Sequence, residues 1–313
     1  MQPTELRPRA IGEILDAAFK IYRSHFKLLV GLAAVVIVPL GVLQLFLIQP
    51  QIDFFLAAVD PTFADPNPDQ TMQQAFSFLG SILGVAALAA AGQILVQAAT
   101  VHAVSETYAG RSPVFGASIR RGGAAFFVLV GAWLIALVPI FAGFLFCILP
   151  GIALVTMWSM TTQAIVVERT GPARSLSRSW NLVKSRFWPV LGAIALTYLI
   201  TSVVQSIPGI LAQAFIIPQT LESIQTGVPT TPSGTAFVVT TLAGSLVSLF
   251  VYPYTATVYT ILYYDLRIRK EAFDLERMMA ALDQPALSTS DFSDLPPPPP
   301  SPPGDPFGLP PPE

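Results

Sequence analysis

Few side chains among these 313 residues could carry chemistry, and most of them stand where an apolar run ends. Glu106, Glu168 and Asp265 each close such a run, and Arg111, Arg169 and Arg267 follow within five residues. A carboxylate trailed so closely by a guanidinium fits a boundary salt bridge. The competing use of the same groups is a proton or ion relay, which calls for charge near a membrane midplane rather than at its edge. Gln93 and Gln97, one helical turn apart, and Gln163 are the polar groups lying deepest in apolar sequence. They suit hydrogen bonds between helices or the lining of a small polar cavity. His25 and His102 are the only histidines and Cys147 the only cysteine, and none has a neighbour at zinc or haem spacing. No metal, cofactor or catalytic residue is therefore expected. Phosphate-binding glycine loops and nucleophile-elbow patterns are absent as well, which argues against an enzyme.

The elements that must position these groups follow from composition. The chain is 53% hydrophobic and 12% charged, against roughly 25% charged in a soluble domain. Six stretches meet or approach the ~20 apolar residues that cross a bilayer. They are residues 27–49, 76–104, 122–146, 148–167, 188–212 and 235–264. Prolines 39, 139, 208 and 253 fall inside them, as membrane helices tolerate. The expected fold is all-α: a polytopic membrane protein of six transmembrane helices in three hairpins. The opening segment MQPTELRPRA has no signal-peptide core, and a net charge of −2 gives no nucleic-acid footprint.

Lysine and arginine set the expected topology. None occurs in 28–110, 122–168 or 187–266, and each gap is long enough for two spans and a connection. The positive-inside rule then puts both termini and the basic loops in the cytoplasm. The outer connections hold Asp53, Asp60, Asp65, Asp69 and Glu222.

Two offsets suggest internal repetition. At 100 residues, Gly31, Pro39 and Pro50 match Gly131, Pro139 and Pro150; at 161, Phe19, Arg23 and Gly31 match Trp180, Lys184 and Gly192. The expected unit is a cytoplasmic amphipathic helix followed by a hairpin, repeated over about 8–110, 111–170 and 171–284. Ile11, Leu15, Ala18, Phe19, Tyr22 and Phe26 form the apolar stripe of the first such helix. The middle one is short, 114–121. The third holds Arg174, Arg178, Trp180, Lys184 and Arg186 and leads to Trp188. With Lys20 and Arg23, these residues form the expected surface for anionic lipid headgroups or a partner, the stripes lying in the headgroup boundary. The membrane domain is expected to end at residue 284. The tail 285–313 holds 12 of the 29 prolines and reads as disordered, with a partner protein as its possible use.

Three pieces carry a family resemblance: LRPRAIGEILDAAFKIYRSHF at the start, ERTGPARSLSRSWNLVKSRFWPVLG in the middle and YYDLRIRKEAFDLE near the end. Together they resemble the uncharacterised bacterial integral membrane proteins related to the membrane domain of glycerophosphoryl diester phosphodiesterase. The resemblance implies a multi-pass protein of the bacterial cytoplasmic membrane. It does not imply the phosphodiester reaction, which in that enzyme belongs to a separate barrel with a metal site. Two functional expectations follow: a non-catalytic module that organises lipid or partner proteins at the inner face, or a transporter of a small or amphipathic molecule past Gln93, Gln97 and Gln163.

Overall fold

Inside a bilayer no water is at hand for the backbone, so a spanning segment must satisfy its own N–H and C=O groups. The apolar runs accordingly fold as helices. The computed structural model describes residues 10–59, 68–226 and 234–282, and these form ten α-helices. In order they are α1 (Ile11–Ser24), α2 (Phe26–Leu47), α3 (Gln49–Val59), α4 (Pro68–Tyr108), α5 (Phe115–Phe146), α6 (Ile148–Met157), α7 (Thr161–Glu168), α8 (Pro172–Val183), α9 (Phe187–Thr226) and α10 (Gly234–Leu282). One 3-10 turn, Lys184–Arg186, joins α8 to α9. Among the described residues six stretches are long and apolar enough to cross a membrane: Phe26–Phe54, Met72–Tyr108, Phe115–Phe146, Ile148–Glu168, Pro172–Leu211 and Val238–Lys270. They mark a multi-pass membrane protein.

The chain divides into two compact units, Met1–Arg269 and Lys270–Glu313. Everything described below lies in the first. The second contributes helical residues 270–282, and the Pro-rich tail 285–313 lies outside the described residues.

Amphipathic α1 behaves differently from the expectation. Much of its stripe is covered by protein: Ala18, with Ile14 beside the stripe, is buried in a cluster with Leu182 and Val183 of α8, Val190 and Ala193 of α9, and Val258, Ile261 and Leu262 of α10, and Ile11 and Leu15 pack against that cluster. Tyr22, also buried, donates to the Phe250 carbonyl (3.2 Å) and packs edge-on to Tyr254. Burial pushes its phenol up to about 12, so it stays a neutral donor. A protein face satisfies the stripe as well as lipid would and adds close packing, which is what associates helices within a membrane. Phe19 is left outside, facing away from that cluster.

Two further expectations are revised. The stretch 114–121 is no separate surface helix: α5 runs unbroken from Phe115 to Phe146. No proline or unsatisfied group interrupts it before Pro139, so the surface turns and the span share one axis. The fourth span, expected to be continuous, breaks between Met157 and Thr161 into α6 and α7.

Glycine allows the tightest contact of α4 with α5. A Cβ on Gly122 would stand 3.0 Å from the Ala99 backbone nitrogen. At Gly143 it would meet the Gly151 nitrogen at the same distance, so α5 and α6 touch backbone to backbone beside Cys147.

Candidate functional site

The break in the fourth span needs partners for the backbone groups it frees, and α8 supplies them. Ser179, fully buried, donates to the Met157 carbonyl (2.7 Å) and its oxygen accepts from the Met160 N–H (3.1 Å). One hydroxyl thus closes both ends of the gap. Within the gap, Ser159 donates to the Thr156 carbonyl (2.7 Å) and Thr161 to that of Trp158 (2.7 Å). Irregular backbone at membrane depth is stable where it is buried in protein or lines a cavity, and here it does both.

The cavity holds about 660 Å³ and is bounded by α4, α5, the α6–α7 break, α8, α9 and α10. Trp158, Ser159, Thr161 and Thr162 contribute the break; Thr201, Ser202, Gln205 and Ser206 contribute α9; Thr255 and Tyr259 contribute α10. Among the described residues no Asp, Glu, Lys or Arg lines it. A smaller cavity of about 260 Å³ adjoins it, and Gln93, Gln205 and Tyr252 line both. The smaller wall adds Gln44, Ser245 and Ser248.

Of the three intramembrane glutamines named from sequence, Gln93 and Gln97 line the large cavity. Gln163 does not. It is 2% exposed, packed within α7, and its Oε1 has no hydrogen-bond partner among the described residues.

The boundary charges pair as follows. Arg111 grips Glu106 with two bonds (2.6 and 2.8 Å), and the carboxylate holds the guanidinium above its ordinary value. Glu168 is bound not by adjacent Arg169 but by Arg178 of α8, through Nε (3.0 Å) and Nη2 (2.8 Å). Buried Tyr263 donates to the same carboxylate at 2.5 Å, and the charge of Arg267 reaches it as well. Arg169 takes a left-handed backbone (φ 56°) that ends α7, and its side chain is exposed. Asp265 is bonded by Arg269, one turn on, at 2.7 Å. Arg121 donates to the Val166 carbonyl (2.9 Å), a cation at the negative end of α7.

The proposed headgroup residues separate into two sets. Lys20, Arg23, Arg174, Trp180, Lys184 and Arg186 are exposed, and Trp188 is 77% exposed. Arg178 is taken up by Glu168. Among the described residues no group of three or more His, Cys, Asp or Glu assembles.

Sequence reasoning missed Ser179, Tyr263 and the polar face of α9. A signal for the last was present: Thr197, Thr201 and Gln205, with Ser202 and Ser206 beside them, recur every four residues in an otherwise apolar run.

Residues 75–262 match the family described as Domain of unknown function (DUF7847). The match covers the span helices from α4 into α10 and with them every described residue lining the large cavity. No curated protein and no solved structure matches the chain.

Proposed function

The chain belongs to the DUF7847 family, and we propose that it is a non-catalytic membrane protein that holds, in the manner of a permease, a neutral or amphipathic molecule among its spans. One observation carries the reading: an uncharged, hydroxyl- and amide-lined cavity of about 660 Å³ built on a broken helix. Its size suits a small-molecule site, since such pockets hold about 300–1,000 Å³. Broken spans are also where many transporters bind their cargo. Native mass spectrometry of the protein in mild detergent, with the variant Gln97→Trp filling the cavity, tests it. The wild type is expected to retain a non-protein mass that the folded variant lacks. A wild type carrying nothing beyond exchangeable bulk lipid would refute the reading.

A second reading rests on the exposure of Lys20, Arg23, Lys184 and Arg186 beside Trp180 and Trp188. Such aromatic and basic side chains anchor a protein at anionic headgroups, and the organisation of lipid or partner proteins at the inner face would use them. Three hairpins with both termini in the cytoplasm fit the lysine and arginine distribution and are proposed as the topology. The threefold repeat rests on the sequence offsets, and the link to the phosphodiesterase membrane domain on the three quoted motifs. Use of the Pro-rich tail by a partner is likewise a proposal.

A further inference from the structure

The wall of the large cavity has a hydrogen-bonding bias that its composition alone does not reveal. Ser159, Thr161, Thr201, Ser202, Ser206 and Thr255 all line it. Each donates its hydroxyl proton to a carbonyl of its own chain three or four residues back, at 2.7–2.9 Å for the shortest bond of each. A hydroxyl has one proton and two lone pairs, so a back-bonded hydroxyl offers its surroundings acceptors only. Donors come from elsewhere: the amides of Gln93, Gln97 and Gln205, the indoles of Trp133 and Trp158, the phenols of Tyr198, Tyr252 and Tyr259, and the Thr162 hydroxyl.

Charge decides which ligand suits such a wall. An anion accepts and cannot donate, so it would leave the row of hydroxyl lone pairs unmatched, and among the described lining residues no lysine or arginine offsets its desolvation. A cation would find acceptors and aromatic faces but, among the described lining residues, no carboxylate. A ligand hydroxyl donates to the serine and threonine oxygens and accepts from the glutamine amides. It satisfies both halves of the wall without bringing a charge into it.

Two residues of the cavity wall are also exposed at the surface. Trp133 of α5 and Tyr198 of α9 line the cavity, yet are 54% and 72% exposed. Their neighbours Leu134 and Leu199 are exposed apolar residues of the kind that faces lipid. Wall residues exposed in this way fit a lateral route from the cavity toward acyl chains.

Resting on the cavity reading above, we infer that the ligand is an amphiphile with a neutral, hydroxyl-bearing head. The head occupies the polar wall of α9 and the α6–α7 break, and the tail leaves past Trp133 and Tyr198. The test uses the full chain in phosphatidylcholine nanodiscs. Trp180→Phe and Trp188→Phe leave Trp133 and Trp158 as the only tryptophans. Dodecyl glucoside brominated in its chain is the probe, and quenching is the readout. Saturable quenching is expected, displaced by unbrominated dodecyl glucoside, with dodecyl phosphate and dodecyltrimethylammonium competing about tenfold more weakly. Thr201→Val, which keeps the shape and removes the lone pairs, is expected to weaken binding several-fold. Adding Trp133→Phe should remove most of the quenching, because the bromines lie at the opening.

Equal or better competition by the phosphate or the ammonium head would overturn the headgroup assignment while leaving a ligand-binding cavity. Quenching that survives in full without Trp133 would overturn the sideways placement of the tail. No saturable quenching by any head would remove both this inference and the cavity function beneath it.

Discussion

Replacing Arg178 with Met strips Glu168 of a partner that binds it through Nε and Nη2 at 2.8–3.0 Å. The side chains are 27% and 18% exposed, so the pair lies between a surface bridge and a buried one. Breaking a buried pair costs about 3–5 kcal/mol, and an exposed one contributes about 0–1 kcal/mol. Tyr263 continues to donate to the stranded carboxylate, which places the expected cost near 2 kcal/mol. Arg169 is the contrasting substitution. It sits at φ 56° and is exposed. Arg169→Gly relieves about 1 kcal/mol of left-handed strain, nearly offset by about 0.4–1 kcal/mol of added unfolded-chain entropy. Thermal unfolding in one mild detergent should lower the midpoint by several degrees for Arg178→Met and leave Arg169→Gly within about a degree. In a double-mutant cycle, Arg178→Met with Glu168→Gln should show a coupling of at least about 1 kcal/mol. Additive effects for that pair, or a loss for Arg169→Gly as large as for Arg178→Met, would refute the assignment of Arg178 as the partner.

Gly122→Ala should lower stability by about 1–3 kcal/mol, because its Cβ would press on the Ala99 backbone 3.0 Å away; an unchanged unfolding midpoint would mean that α4 and α5 can separate freely. Tyr22→Phe should cost about 1 kcal/mol through loss of the bond to the Phe250 carbonyl, measured in the same assay. Gln163→Leu should be neutral or stabilising by up to about 1 kcal/mol, since its buried Oε1 has no partner among the described residues; a marked loss would reveal a bond formed with a ligand or water. For the proposed topology, a reporter fused after Glu222 should register outside the cytoplasm, and cytoplasmic activity there would defeat the three-hairpin arrangement.

The number and approximate placement of the spans are legible in the sequence because a membrane makes length and apolarity sufficient signals. Breaks and partners are not. Residues 157–161 read as uninterrupted apolar helix, and only a serine about twenty positions later makes the interruption affordable. The stripe of α1 is visible as a period, yet the period carries no information about whether lipid or protein will cover it. For Glu168, proximity along the chain points to Arg169, whereas the left-handed turn there leaves that side chain exposed and α8 brings Arg178 in. The glutamines stand out because amides are rare in such runs, but which of them reach the cavity depends on helix rotation, which periodicity leaves open.

The burial of α1 bears on the order of assembly. Tyr22 and the carbonyl it binds are 228 residues apart, and Ile14 and Ala18 rest on the part of α10 near Val258–Leu262. A ribosome delivers the first helix early and its resting place last. Until α10 arrives, α8 and α9 offer the helix only part of its seat. A copy cut short after α9 would keep the α8 and α9 walls of that seat but lack the α10 wall that closes it.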